Sequence, residues 1–185
     1  MKSALAPLLA LVLLAVTPAP VATPSFDPHA YDDPAMHFEA PADYYLVARQ
    51  QVDSTKLEGP TTVAVWLKFP RQPNMRTMQI SFEPYDGKDM TQYETFVENT
   101  LREQIDGVFI SSKKQFALKN GMPAYFMAVT SGSGFDSMRI YQVTWFDGLR
   151  GVTISIRGRL GELTEDEARA AMSDVTAVRY PIGRL

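Results

Sequence analysis

Through most of the chain after residue 36, hydrophobic and polar positions alternate with a period of two, which is the strand pattern. In residues 62–69, Val63, Val65, Leu67 and Phe69 share one face and Thr62, Ala64, Trp66 and Lys68 the other. The second face is polar apart from Trp66, so part of one sheet face is expected to be wet. Residues 77–82 repeat the alternation with Met78, Ile80 and Phe82 inward. Near the end, Val152, Ile154 and Ile156 oppose Thr153, Ser155 and Arg157. Apolar-rich runs at 36–40, 44–52, 108–112, 115–119, 124–130 and 138–146 read as further strands, with Tyr141, Val143 and Trp145 on one face of the last. Asn120-Gly121 and Asp147-Gly148 are tight-turn signals, because these residues tolerate positive φ. Short turns between neighbouring strands imply antiparallel pairing.

Two segments change period. Tyr93, Phe96, Val97, Leu101 and Ile105 fall on one face at 3.6 residues per turn and predict a helix, with Thr91 and Glu94 spaced as a capping box and Gly107 past the end. A second helix is predicted over 165–175. Thr164 and Glu167 form its capping box, and Ala168, Ala171, Met172 and Val175 its buried face. Residues 178–181 form a short terminal extension. The expected fold class is therefore α+β, an antiparallel sheet covered by helices.

The beginning of the chain reads differently. Lys2 precedes an apolar run over 4–16, too short for a spanning helix and suited to the core of a secretory signal peptide. Residues 1–22 are expected to be that signal, with cleavage after Ala22. Residues 23–35 contain Pro24, Pro28 and Pro34 and predict an extended, solvated leader. A single domain over 36–185 follows. No cysteine succeeds the apolar run, so attachment of the bacterial lipoprotein type is excluded. An exported chain without cysteine relies on its core alone, which favours a bacterial periplasm or exterior. No stable membrane span is expected after cleavage.

The 185 residues carry 18 basic and 21 acidic side chains, a net charge of −3 that gives no reason to expect a nucleic-acid partner. Candidate chemistry is sparse. His29 lies in the leader and His37 opens the first strand; neither accompanies a nucleophile elbow. No cysteine or paired histidines suggest zinc. Tyr31-Asp32-Asp33 and Asp86-Gly87-Lys88-Asp89 lack the spacing of a calcium loop. Glu162, Glu165, Asp166 and Glu167 suit a helix N-terminus better than acid–base work. Arg139, Arg150, Arg157 and Arg159 are the only basic concentration, and solvated strand positions with nearby carboxylates explain them better than an anionic ligand does. No catalytic, cofactor-binding or metal residue is assigned.

The strand Met36-His37-Phe38-Glu39-Ala40-Pro41, the amphipathic helix and the corner Phe116-Ala117-Leu118-Lys119-Asn120-Gly121-Met122-Pro123-Ala124-Tyr125, followed by two strands and a closing helix, resemble the PsbP/DcrB-like superfamily, most closely its bacterial exported members. The resemblance covers about residues 30–181 and implies an α/β/α sandwich and a non-catalytic accessory domain that binds a protein partner in the cell envelope. It carries over no catalytic residue; its Asn-Gly corner maps to Asn120 and Gly121 as a turn. The alternative is a small-ligand carrier or enzyme with a pocket between sheet and long helix lined by Tyr93, Phe96, Trp145 and Met78. A cavity of roughly 300 Å³ or more would favour it. An exposed Tyr141/Trp145 face, or Arg139 and Arg157, would serve a partner.

Overall fold

Strand pairing dominates the structure, a computed structural model that describes residues 27–71, 74–87, 89–132 and 137–181. The expected signal over 1–22, the start of the leader and the Ser133-Gly134 connection lie outside the described residues. In chain order the elements are β1 (Ala30–Asp33), β2 (Met36–Glu39), β3 (Tyr45–Arg49), β4 (Thr61–Arg71), β5 (Asn74–Pro84), α1 (Met90–Gln104), β6 (Phe109–Ala117), β7 (Pro123–Ser131), β8 (Met138–Phe146), β9 (Arg150–Arg159), α2 (Glu165–Ala171) and β10 (Val175–Ala177). They form two antiparallel sheets. One has three strands in the order β1-β2-β10, the other seven in the order β3-β4-β5-β9-β8-β7-β6.

This corrects the expected α+β fold of one sheet covered by helices, and with it the α/β/α sandwich. The protein is mostly β. The inner face of the large sheet is closed chiefly by the small sheet, and α2 is only seven residues long. The reason lies at two places where local pattern misled. The proline-rich leader is not solvated throughout: Ala30–Asp33 pairs with β2, and Tyr31 is fully buried. Trp66 Nε1 donates to the Pro28 carbonyl at 2.9 Å, anchoring the leader on the large sheet. The second helix stops at Ala171, and Val175, expected on its buried face, instead pairs with Phe38 as the first residue of β10.

Smaller corrections share a cause, the placing of bulges. The runs at 108–112 and 115–119 are one strand, β6, whose register shifts between Ile110 and Ser112. A shift between Thr62 and Ala64 turns Ala64 and Trp66 toward the core and leaves Phe69 54% exposed, the reverse of the face read from alternation. Met78, Ile80, Phe82, Val152, Ile154 and Ile156 are buried as the period predicts.

The main core lies between the sheets. Edge-on ring contacts of Phe38 with Trp66 (5.7 Å) and Tyr31 with Phe82 (6.0 Å) join the layers. Tyr141, Val143 and Trp145 belong to this core, so they offer no exposed aromatic face. Gly121 turns the corner at φ +85°, its N–H bonding to the Leu118 carbonyl at 2.8 Å, while Asn120 Nδ2 reaches the Ala177 carbonyl at 2.6 Å. The corner thus also holds β10. A second, smaller core forms where Tyr93 and Val97 of α1 meet Met127 and Val129 on the outer face. Among the described residues, no helix is long and apolar enough to cross a membrane.

Candidate functional site

The outer face of the large sheet is only half covered. Helix α1 lies over β7 and β8, while β5 and β9 beside it present polar side chains. Register sets these in rows across β5, β9 and β8: Glu83–Gly151–Phe146, Ser81–Thr153–Thr144, Gln79–Ser155–Gln142 and Thr77–Arg157–Ile140. The rows hold the residues alternating with the buried Ile80, Ile154 and Val143, and all but Gly151, Phe146 and Ile140 are polar. Between these rows and the flank of α1 runs a groove of about 260 Å³. Its floor is the row residues; its apolar wall is Val97, Leu101 and Ile105.

Gln142 is the least expected member. It is 4% exposed, lines the groove, and its Nε2 has no hydrogen-bond partner among the described residues. An orphaned buried donor costs about 1–3 kcal/mol, which a ligand acceptor would recover. Ser155, in the same row, is also buried. Arg157, in the next row, is exposed and forms no ion pair among the described residues.

A tight polar cluster closes the other end. Tyr93 Oη donates to Glu83 Oε1 at 2.6 Å. Thr144 Oγ1 lies 3.3 Å from Tyr93 Oη and 3.0 Å from Thr153 Oγ1. Gly151 makes this possible, since a Cβ there would overlap the Tyr93 ring. Burial raises the Glu83 carboxyl above the usual carboxylate range, against the opposing effect of the Tyr93 hydrogen bond. Burial likewise raises the Tyr93 phenol well above its ordinary value. A carboxyl so perturbed in a cleft marks a candidate site.

The groove stands where the alternative reading placed a pocket between sheet and long helix, but its volume of about 260 Å³ falls short of the roughly 300 Å³ that would favour that pocket, and its walls are other residues. Of the four expected lining residues, Met78 and Trp145 point into the main core and are fully buried. Tyr93 is fully buried at the groove's end, and Phe96 packs against Tyr85 with ring centroids 5.3 Å apart. The polar rows were visible as the second face of each strand. Gln142 carried no sequence signal of its own, because alternation along β8 does not show that α1 packs on that strand and walls the groove.

The other candidates separate. Arg139 shares the strand face of Tyr141, opposite Arg157, and its Nη1 donates to Ser111 Oγ at 2.7 Å. Arg150 is 1% exposed and pairs with Asp147 at 3.0 Å and with Asp33. Asp33 is thereby taken, and Asp32 bonds His37 Nδ1 at 2.6 Å, raising the imidazole pKa chiefly through that hydrogen bond. Asp89, two residues before the expected cap Thr91, accepts from Gln92 N and starts α1. Thr164 caps α2 as predicted, accepting from Glu167 N at 3.1 Å. Glu162 and Glu167 face the buried Arg76, and Glu165 bonds Lys114 and Arg169, which hold its carboxyl below the usual range. Among the described residues no His, Asp and Glu side chains gather to hold a metal ion. Comparison with protein-family models gives no match, and none is found among curated proteins.

Proposed function

We propose that this chain is an exported, non-catalytic binding domain whose site is the groove between α1 and the open half of the large sheet. Export rests on Lys2 and the short apolar run over 4–16. The carrying observation is Gln142, a residue lining a cavity with a hydrogen-bonding floor and an apolar wall, whose buried Nε2 has no hydrogen-bond partner among the described residues. That combination suits small-molecule recognition, in which a few placed polar groups orient a ligand held by apolar contact. Groove-binding fragments should shift the Gln142 side-chain amide and the Leu101 and Ile105 methyl signals in NMR spectra. Ile140→Trp, which fills the floor, should abolish those shifts. Hits that leave these signals still, or that survive Ile140→Trp in a folded protein, would remove the groove as the site.

A second reading has its own observation. Tyr45 and Val47 on the edge strand β3 are 65% and 60% exposed, and Phe69 and Met75 lie exposed near the β4–β5 hairpin. Apolar side chains on an open edge suit docking of a protein in the cell envelope, the role the PsbP/DcrB-like resemblance implies. Cross-linking in envelope extracts should capture a stoichiometric partner that Val47→Lys loses. Capture that ignores Val47→Lys counts against this edge.

A further inference from the structure

We propose that the groove takes an organic monocarboxylate with a short aliphatic body, its carboxylate received by Gln142 Nε2, Ser155 Oγ and the Arg157 guanidinium. The inference rests on the groove reading and names the ligand class. Three observations on one end of the groove carry it. Gln142 Nε2 is a buried donor with nothing to donate to. Ser155 is its register partner on β9, and neither side chain of the pair is more than 9% exposed. Arg157 lies two residues further along the same face of β9, paired across to Ile140 and Thr77, and adds a planar cation with several N–H donors.

The charge of this end is uncompensated from within the groove. Among the described residues the one carboxyl lining it, Glu83, lies beside Gly151, six residues along β9 from Arg157, or about 20 Å at strand rise. Glu83 is moreover engaged by Tyr93. A neutral amide or alcohol would satisfy Gln142 but leave the cation without a counter-charge. A carboxylate offers two acceptor oxygens to the amide, the hydroxyl and the guanidinium together. The apolar wall decides the rest of the molecule. Ile140 of β8 pairs with Arg157, and Leu101 of α1 and its C-cap Ile105 line the same groove, where an aliphatic chain replaces water. The cavity of about 260 Å³ limits that chain to a short one.

The test is calorimetric titration of the intact protein with hexanoate and octanoate and with the matching amides, hexanamide and octanamide. The acids should bind about tenfold or more tightly than the amides, the worth of one charge-assisted hydrogen bond. Arg157→Gln should erase that preference. Gln142→Met, which keeps volume and removes the donor, should weaken the acids. Amides that bind as well as acids, or a preference that survives Arg157→Gln, would overturn the carboxylate assignment and leave the groove in place. Failure of all four probes would overturn it too, while the fragment shifts at Gln142 and their loss in Ile140→Trp judge the groove separately. If Arg157 only supports the end of α1, Arg157→Gln lowers the melting temperature without changing the ratio of acid to amide affinity, and the assignment falls.

Discussion

At the scale of single residues, the outer face is governed by polar groups that burial has set against their own charge. Glu83 is the clearest. Desolvation raises its folded-state pKa above the unfolded value. The folded protein therefore holds a proton that the unfolded chain has already released, and stability falls as pH rises from the ordinary carboxylate range through the raised value. Glu83→Gln keeps an oxygen to accept from Tyr93 Oη and removes the charge. The variant should melt with the wild type in acid, where the carboxyl is protonated in both states, and above it at neutral pH. Equal melting at both pH values would mean that Glu83 carries no such strain. The same scale shows what alternation reveals and what it hides. Thr153, Ser155 and Arg157 are legible as one face of a strand. That Gln142 Nε2 is buried without a partner among the described residues is not, since α1, which packs on β8 and walls the groove, lies some forty residues earlier in the chain.

At the scale of elements, β1 shows how the mostly β fold departs from the α+β pattern of the sequence. Pro28 and Pro34 bracket it and suggested a solvated leader, yet proline excludes helix and not strand. What fixes β1 is distant. Asp33 at its end is held by Arg150 on β9, a pair separated by 117 residues. Arg150 also bonds Ser54 and Asp147, and its guanidinium lies 3.5 Å from the centre of the Phe82 ring. No period or spacing announces such a residue; in sequence it is one of several arginines on late strands. Removing it leaves the Asp33 and Asp147 carboxylates buried and unpaired, which costs about 3–5 kcal/mol. Arg150→Ala should lose stability on that scale in urea unfolding. Adding Asp33→Asn and Asp147→Asn should return part of the loss, because no unpaired charge then remains. A loss below about 1 kcal/mol, the range of surface ion pairs, would show the network to be solvated. Local signals fared better: Thr164 and Glu167 mark the start of α2 because a cap needs only its own first turn.

At the scale of the whole molecule, the two faces of the large sheet differ in how firmly they are closed. The inner face is sealed by a second sheet and α2, with Trp66, Trp145, Phe38 and Phe126 in one continuous core. The outer face is held by α1 through few anchors: within the helix only Tyr93, Glu94 and Val97 are buried, and Phe96 is 37% exposed. Period two predicts which residues share a face but not how many sheets result or which face stays open, so this asymmetry lay beyond the sequence pattern. It has a dynamic consequence. Local opening draws on the elements with least buried apolar contact, so α1 should open without the sheet beneath it. Amide hydrogen exchange should therefore be faster in Val97–Ile105 than in β8 and β9, and a bound groove ligand should slow the helix more than the strands. The helix is one wall of the groove, and its opening would be the route by which a ligand reaches Gln142. Exchange in α1 as slow as in β9, with no change when the groove is filled, would make the helix part of the same rigid unit as the sheet and would leave Gln142 accessible only from the Arg157 end.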